Sequence, residues 1–211
     1  MWSANLGDLP SRLDVLSSDE VARSERFLTT QLRDRYIAGR TWLRSVLGSE
    51  IGLPPASLRF RYQELGKPAL ERPSSTLEFS LAHSADIALL AVGGCRSLGV
   101  DVEWVTAGVY DPRSADLVLS PDELRWIERH ANRDRAFLRC WVRKEAYAKV
   151  GGMGMDRHLA KLTLTGPRAT GELEGLVVRD IALDDSVVAA ICVPAAQTFV
   201  YRGRWSEEEA A

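Results

Sequence analysis

Four charged residues in this chain have a spacing that brings them together in pairs. Asp101 and Glu103 lie two apart in LGVDVEWV, which alternates as a strand does, so both carboxylates project from the same face. Glu145 and Lys149 lie four apart in CWVRKEAYAKV, the spacing at which opposite charges pair on a helix. Each pattern has an ordinary explanation, namely a strand with one solvated face and a surface salt bridge. The direction in which these groups point therefore decides what they can do.

The helical periodicity directs Glu145 and Lys149 towards the interior. At about 100° per residue, both fall on or beside the apolar face of the helix. The apolar positions on that face are Phe137, Leu138, Trp141 and Ala148. The outward sector is predicted to hold Arg139, Arg143 and Ala146. Buried charges require partners, so we expect further polar or charged groups to contact this pair inside the molecule.

Three carboxylates together with several basic side chains predict a site that binds a metal ion and a phosphate group. Asp101 and Glu103 repel each other unless a cation lies between them, and Glu145 is the natural third carboxylate. Hard oxygen ligands with no His or Cys nearby in the sequence suit Mg²⁺, which completes its octahedron with waters and phosphate oxygens. Metal-assisted chemistry on a diphosphate-like or triphosphate-like substrate would use such a set.

The basic residues that would meet such a phosphate are Lys149, Lys67 in the GKP turn and His83. Each also has an ordinary alternative. Lys149 would pair only with Glu145, Lys67 would be solvated in its turn, and His83 would make a hydrogen bond within a strand connection.

Composition excludes several classes of protein. The chain has 211 residues and a formal net charge of −2, so it lacks the global basic field that nucleic-acid binding favours. Its longest apolar stretches, such as IALLAV, are far shorter than a membrane span. MWSANLGDLP lacks the pattern of a signal peptide. The cysteines stand apart in apolar surroundings, which predicts free buried thiols and a cytoplasmic protein: Cys95, Cys140 and Cys192.

The order of predicted elements indicates an α+β fold with two similar, pseudo-symmetric lobes. In each half, helices precede strands of a small, mainly antiparallel sheet. One long helix is predicted from the cap at Ser17 to Gly48, and two helices follow Ser120. The predicted strands are LRFRYQ, two strands within FSLAHSADIALLAVGG, LGVDVEWV, LTLTG, LVVRDIAL, SVVAAICV and TFVYRGRW. The predicted lobes are 1–104 and 105–211, with Asp101 and Glu103 at their junction.

The combined motifs resemble the 4'-phosphopantetheinyl transferase superfamily. They are GKP, FSLAHS, GVDVE and WVRKEAYAK followed by GGMG, in this order. Their spacing is similar to that of the two-lobed, single-chain type that activates peptide and polyketide synthetases. The resemblance implies an active site in the cleft between the lobes. It also implies transfer of phosphopantetheine from coenzyme A to a carrier-protein serine, with release of adenosine 3',5'-bisphosphate.

The resemblance also implies roles for individual residues. Asp101, Glu103 and Glu145 would hold Mg²⁺ against the pyrophosphate of coenzyme A, and Glu145 would act as base directly or through a water. The residues expected to contact the pyrophosphate are Lys149, His83 and Lys144. The residues expected near the adenosine 3'-phosphate and the nucleotide are Lys67, Arg23 and Arg35.

Three positions depart from the family pattern, and rival functions stay open. Val142 and Ala82 replace hydroxyl residues common in the family, and Glu20 occupies a position where a basic residue is common. The alternatives are a magnesium-dependent phosphohydrolase and a non-catalytic binder of coenzyme A or a carrier protein. A serine hydrolase built on Ser84 and His83 is excluded, because neighbouring residues of an extended segment point apart.

The expected partners are coenzyme A and an acyl or peptidyl carrier protein. Such carriers are usually acidic, so a basic surface around the second-lobe helices is the predicted docking region: Arg113, Arg125, Arg129, Arg133 and Arg135. Two lobes in one chain can close their own cleft, which predicts a monomer.

Overall fold

The computed structural model describes residues 1–62, 66–73, 76–94, 97–152, 159–165 and 175–205. Its first half begins with a strand and continues with helices before the remaining strands. The elements are β1 Trp2–Asn5, α1 Ser18–Ser24, α2 Thr30–Ile51, β2 Arg59–Tyr62, β3 Pro68–Arg72, β4 Glu78–Ser84 and β5 Ile87–Gly93. Those of the second half are β6 Gly99–Trp104, α3 Pro112–Ala115, α4 Pro121–Glu128, α5 Arg133–Gly151, β7 Leu176–Asp180 and β8 Val187–Pro194. The α+β class and the two-lobed arrangement predicted from the sequence are confirmed.

Each lobe is built on an antiparallel sheet. The first lobe has the strand order β1–β5–β4 and a separate β2–β3 ribbon, and the second has the order β6–β8–β7. The expected lobe boundary at residue 104 differs from this arrangement. Strand β6 pairs with β8 along its whole length, so it belongs to the second lobe and the boundary precedes Gly99. A strand's partner lies far along the chain, and local alternation does not identify it.

The first long helix of the sequence prediction is divided in two. Ser17 caps α1, whereas Thr29 caps α2 by accepting a hydrogen bond from the backbone N–H of Leu32 at 3.2 Å. The apolar periodicity across residues 25–29 therefore belongs to a connection. The predicted strands LTLTG and TFVYRGRW are also absent as strands among the described residues. Segment 200–205 nevertheless lies beside β1, where Ser3 and Arg204 form a parallel bridge.

A buried ion pair holds the helices of the first lobe together. Glu20 lies in the first turn of α1, and its carboxylate accepts a hydrogen bond from the backbone N–H of Ser17 at 2.9 Å. Arg44 of α2 is fully buried and donates to the same carboxylate at 2.8 Å. Its guanidinium also donates to the carbonyl oxygens of Pro55 and Leu58 at 2.9 and 3.0 Å. The pair thus joins α1, α2 and the segment that leads into β2.

The second lobe contains an equivalent buried ion pair. Glu123 of α4 accepts from the backbone N–H of Ser120 at 2.8 Å, and the fully buried Lys144 of α5 pairs with it at 2.9 Å. The ammonium of Lys144 also donates to the carbonyl oxygens of Leu159 and Leu162. The capping sequences agree too, since LSSDE begins α1 and LSPDE begins α4.

Helices α2 and α5 also end alike. Arg44 lies eight residues before Gly52, and Lys144 lies eight residues before Gly152. Both glycines adopt positive φ angles, 68° and 63°, and close their helices with the left-handed geometry that glycine tolerates best. Repetition of capping sequence, ion pair and helix end supports the pseudo-symmetry of the lobes.

The free thiols and the helix lengths agree with the composition. Cys140 and Cys192 are fully buried and unbonded to each other, and burial raises the pKa of each thiol to about 12. Cys95 lies outside the described residues. Within the described residues, no helix combines the length and the apolar character needed to cross a bilayer.

Candidate active site

The candidate site forms where β6 lies directly on α5. A Cβ atom added to Gly99 would lie 1.9 Å from the carbonyl oxygen of Ala146, so only glycine allows this approach of strand and helix. Ala146 itself is fully buried. The close contact brings the acidic strand GVDVE beside the helix that carries Glu145 and Lys149.

Asp101 and Lys149 form the central ion pair of the site. The ammonium of Lys149 donates to Oδ1 of Asp101 at 2.7 Å, and their side chains are 29% and 9% exposed. The second oxygen of Asp101, Oδ2, is buried and has no hydrogen-bond partner among the described residues. Burial raises the pKa of Asp101 to about 6, against the opposing effect of Lys149. The negative charges of Glu145 and Glu103 contribute to this rise in pKa, which indicates that both carboxylates lie near Asp101.

Glu103 is held by the first lobe. Ser84, the last residue of β4, donates its hydroxyl hydrogen to Oε2 of Glu103 at 2.6 Å. The same hydroxyl oxygen accepts from the backbone N–H of Trp104 at 3.3 Å. A side chain of the first lobe therefore fixes an acidic residue of the second.

Glu145 of α5 and His83 of β4 are both coupled electrostatically to Lys149 and Glu103. Burial raises the pKa of Glu145, which Lys149 opposes and Glu103 reinforces. The side chain of His83 remains open to solvent. Partial desolvation lowers its pKa below 6.5, as does the nearby ammonium of Lys149, whereas Glu103 opposes that effect. Both lobes thus contribute to one electrostatically coupled group.

The cluster suits a hard divalent cation held by few protein oxygens. Within the described residues, no three His, Cys, Asp or Glu side chains converge closely enough to form a complete metal site. The donor set is nevertheless made of carboxylates, and Oδ2 of Asp101 is buried without a partner. Mg²⁺ commonly takes one or two carboxylates together with phosphate oxygens and waters. The chemistry of these donors therefore fits such an ion, and its expected ligands, Asp101, Glu103 and Glu145, stay a prediction.

Lys67 lies at the seam between the lobes. Its ammonium donates to the carbonyl oxygen of Lys149 at 2.6 Å and to that of Leu98 at 3.3 Å. The GKP turn of the first lobe thus reaches the end of α5, where a cation is favoured by the helix dipole. Desolvation lowers the pKa of Lys67. Its expected contact with the adenosine 3'-phosphate stays a prediction.

Lys144 does not join the cluster. It is fully buried, pairs with Glu123 at 2.9 Å and donates to backbone carbonyl oxygens, so its ammonium has no access to a ligand. The expected contact between Lys144 and the pyrophosphate is therefore wrong. Adjacent helix positions point about 100° apart, and Lys144 faces α4 whereas Glu145 faces the cleft.

The predicted outward sector of α5 is also wrong in two of its three positions. Arg143 is 6% exposed and Ala146 is fully buried. Arg143 donates to both oxygens of Asp180 on β7 at 2.6 and 2.8 Å. The prediction assumed one buried face, whereas α5 packs against β6, β7, β8 and α4 and is covered on several sides.

Arg35 and Arg23 lie on the first-lobe side. Arg35 donates to Asp86 at 2.5 Å, within the turn that follows Ser84. Arg23 is exposed, and its guanidinium lies 5.6 Å from the centre of the Tyr36 ring. Arg35 is thus close to the tip of the hairpin that presents His83, and the nucleotide contacts of both arginines stay predictions.

The departures from the family pattern lie in the interior. Glu20 is 1% exposed and pairs with Arg40 and Arg44, so its carboxylate does not face a ligand. Ala82 and Val142 are buried in apolar clusters. In this chain Glu20 therefore forms a structural ion pair, whereas Ala82 and Val142 serve packing.

Ser84 is the residue of the cluster that the sequence did not identify as part of this site. Its hydroxyl was considered only as a nucleophile, and that function was rejected. The contact with Glu103 depends on how β4 lies against β6, which sequence periodicity does not indicate.

Comparisons with known proteins find matches to both halves of the chain. Residues 97–192 match the family described as the 4'-phosphopantetheinyl transferase superfamily, and residues 1–94 match the family described as 4'-phosphopantetheinyl transferase, N-terminal. The 4'-phosphopantetheinyl transferase HetI of Nostoc sp. is 34% identical over 92% of this chain and 86% of its own length. The 4'-phosphopantetheinyl transferase psf-1 of Bacillus pumilus is 29% identical over 88% of this chain and 82% of its own length. Both halves are thus covered, and the chain belongs to the 4'-phosphopantetheinyl transferase superfamily.

Proposed function

We propose that the chain is a magnesium-dependent 4'-phosphopantetheinyl transferase, or holo-[acyl-carrier-protein] synthase. It moves the 4'-phosphopantetheine arm of coenzyme A to a serine of an acyl or peptidyl carrier protein and releases adenosine 3',5'-bisphosphate. The observation that carries this proposal is the coupled cluster of Asp101, Glu103, Glu145 and Lys149 where α5 and β6 meet the end of β4. The names of the relatives support the reaction class.

Glu145 acts as the base in the proposed reaction, directly or through a water. Its raised pKa makes the carboxylate a better proton acceptor than an ordinary glutamate. The serine oxygen forms a bond to the β-phosphorus of coenzyme A, and the bond from that phosphorus to the bridging oxygen breaks. The serine proton goes to the base, and the bridging oxygen leaves with the adenosine bisphosphate.

Lys149 and His83 provide the positive surroundings of the pyrophosphate. Lys149 already lies at the centre of the cluster, and a fixed ammonium stabilises charge that develops on the leaving oxygens. A Mg²⁺ ion bound by Asp101, Glu103 and Glu145 would supply further charge stabilisation. We propose no ligand contact for Lys144, because its ammonium is fully buried against Glu123.

The nucleotide is proposed to lie along the first lobe. Lys67, Arg23 and Arg35 are candidates for the adenosine 3'-phosphate and nucleotide. Lys67 and Arg35 now contact carbonyl and carboxylate oxygens, so each would exchange these partners for phosphate on binding. One chain supplies both sides of the cleft, which supports a monomer. The free thiols of Cys140 and Cys192 suit a reducing compartment such as the cytoplasm.

Mass spectrometry of an intact carrier protein tests the reaction. A purified apo carrier is incubated with the chain, coenzyme A and Mg²⁺. We expect the carrier to gain one phosphopantetheine group, with release of an equal amount of adenosine 3',5'-bisphosphate. EDTA should abolish the gain and excess Mg²⁺ should restore it. A carrier whose acceptor serine is replaced by alanine is the matched control.

The rival functions give different results in the same experiment. Phosphate release from simple phosphate esters without any carrier would favour a phosphohydrolase. Binding of coenzyme A without modification of any acyl or peptidyl carrier would favour a non-catalytic binder. Either result would contradict the proposed transfer.

A further inference from the structure

Ser84 is the last residue of the FSLAHS motif, but neither the roles expected for that motif nor the ion pairs of the site explain its hydroxyl contacts. It ends β4 in the first lobe, whereas both of its hydroxyl partners belong to β6 of the second lobe. The hydroxyl donates to Oε2 of Glu103 at 2.6 Å and accepts from the backbone N–H of Trp104 at 3.3 Å. These two contacts use the hydroxyl in both of its roles and leave it fixed in direction.

The direction of the hydroxyl matters for Glu103. Because the N–H of Trp104 can only donate, the hydroxyl hydrogen of Ser84 is directed to the carboxylate. A hydrogen bond to an ionised carboxylate is shorter and stronger than a neutral one, and it fixes the rotation of the carboxylate group. With Oε2 held by Ser84, the carboxylate has a defined orientation, and Oε1 has no hydrogen bond to the residues that the structure describes.

We infer that Ser84 is a positioning residue that orients Glu103 as a ligand of the divalent cation. This inference rests on the proposed function, because it concerns the same metal site. Groups that hydrogen-bond to a metal ligand and fix its orientation typically contribute to metal affinity, which falls by about 10-fold to 100-fold when they are removed. Ser84 touches neither coenzyme A nor the reacting atoms in this account, so it acts through Glu103.

The chain provides a matched control on the same strand. Ser80 lies four residues earlier on β4, and its hydroxyl accepts from the backbone N–H of Val100 on β6 at 3.1 Å. Both serines therefore connect β4 to the backbone of β6. Ser84 has, in addition, the hydrogen bond to Glu103. Replacing Ser80 tests the connection between strands, and replacing Ser84 tests the connection together with the carboxylate contact.

The test compares Ser84→Ala, Ser84→Thr and Ser80→Ala in the full chain. Mn²⁺ binding in the presence of coenzyme A is followed by electron paramagnetic resonance, and the Mg²⁺ dependence of carrier modification is measured in parallel. We expect Ser84→Ala to weaken Mn²⁺ binding by about tenfold or more and to raise the Mg²⁺ concentration for half-maximal rate similarly. The maximal rate at saturating Mg²⁺ should change much less. Ser84→Thr, which keeps the hydroxyl, and Ser80→Ala should bind Mn²⁺ like the wild type.

Several results would overturn the inference. Wild-type Mn²⁺ affinity in Ser84→Ala would show that the hydroxyl does not orient a ligand. An equal loss of Mn²⁺ affinity in Ser80→Ala would show that the effect comes from the contact between strands. If Ser84→Thr lost as much Mn²⁺ affinity as Ser84→Ala, the effect would follow from any change of side chain at residue 84 and not from loss of the hydroxyl. If the wild type modifies carriers while these variants contradict the inference, only the role of Ser84 fails. If the wild type neither binds Mn²⁺ nor modifies a carrier, the proposed function fails with it.

Discussion

Lys144 and Lys149 lie on the same helix and carry the same charge, yet they meet different surroundings. Lys149 is 29% exposed and pairs with Asp101 in the cleft, whereas Lys144 is fully buried against Glu123 and carbonyl oxygens. Lys149 is therefore expected to take part in the chemistry of the site, whereas Lys144 stabilises the lobe. Substitution of Lys149 should lower activity, and substitution of Lys144 should lower stability.

We expect Lys144→Met to destabilise the chain and Lys149→Met to inactivate it. Loss of Lys144 leaves a buried carboxylate at Glu123 without a cation, which typically costs about 3–5 kcal/mol. Loss of Lys149 should reduce carrier modification by about a hundredfold or more, because a fixed charge near the leaving group is removed. Its effect on the free energy of unfolding should be smaller, since Asp101 can take up a proton. Urea denaturation and the transfer assay measure both quantities.

An opposite pattern would contradict this assignment. If Lys144→Met retained the wild-type free energy of unfolding but lost affinity for coenzyme A, Lys144 would be a ligand contact. If Lys149→Met only lowered the melting temperature, its pairing with Asp101 would be structural.

Glu20 should make stability depend on pH in the acidic range. Burial acts to raise its pKa, but Arg40, the N–H of Ser17 and Arg44 outweigh burial, so the net pKa lies below 4.5. A carboxylate with a lowered pKa in the folded state stabilises it fully above the unfolded pKa and loses that contribution as pH falls through the folded pKa. Glu20→Gln should therefore be less stable than the wild type by about 3–5 kcal/mol near neutral pH. The difference should shrink below about pH 4.5.

Urea denaturation of both proteins across that range provides the measurement. A difference in unfolding free energy that stays constant to strongly acidic pH would show that ionisation of Glu20 does not stabilise the fold.

At the level of elements, the contact between β6 and α5 decides where the acidic residues lie. Gly99 permits this contact because a Cβ atom there would lie 1.9 Å from the carbonyl oxygen of Ala146. Residue 99 begins strand β6 and Ala146 lies within helix α5, so neither backbone can move independently of its element. The strand that carries Asp101 and Glu103 must shift if residue 99 gains a side chain.

Gly99→Ala is therefore expected to reduce both stability and transfer. Overpacking of a core typically costs about 1–3 kcal/mol, and a backbone contact this short should cost at least that much. Gly94→Ala is the control, because a Cβ atom there meets nothing within 4 Å. Thermal denaturation and the transfer assay should show a loss for Gly99→Ala and wild-type behaviour for Gly94→Ala. Wild-type stability in Gly99→Ala would disprove the close packing of β6 on α5.

The sequence predicted the inward direction of Glu145 and Lys149 because helical periodicity is a local property. It also identified LGVDVEWV as a strand with two carboxylates on one face. It failed where contacts between distant segments decide the outcome. The pairing of β6 with β8 assigns that strand to the second lobe, and the burial of Lys144 depends on α4 and on the segment at Leu159. Ser84 was missed as an orienting residue for the same reason.

At the level of the whole molecule, segment 200–205 returns to the first strand, β1. The backbone N–H of Trp205 donates to the carbonyl oxygen of Ser3 at 2.8 Å, and that of Ser3 donates to the carbonyl oxygen of Gly203 at 3.2 Å. Trp205 is 9% exposed and packs in the core of the first lobe. A segment that follows the second lobe in sequence therefore completes the first, and the lobes depend on each other.

Trp205→Ala should accordingly destabilise the first lobe. Replacing a buried Trp with Ala typically costs about 3–5 kcal/mol. Tyr201→Phe is a milder comparison, because it removes only the hydrogen bond of 2.8 Å between the hydroxyls of Tyr201 and Ser3. That loss should be about 1 kcal/mol. Chemical denaturation of the two variants measures the difference, and equal stability of Trp205→Ala and wild type would show that the segment does not support the lobe.

The most direct test of the account is the rate of carrier modification by Glu145→Gln and Asp101→Asn, measured with coenzyme A over a series of Mg²⁺ concentrations. Both changes keep the size of the side chain and remove a charge that can bind the cation, and the first also removes the base. We expect rates at least about a hundredfold below wild type, with melting temperatures that show folded proteins. Wild-type rates in both variants at ordinary Mg²⁺ concentrations would contradict the assignment of this cluster as the active site.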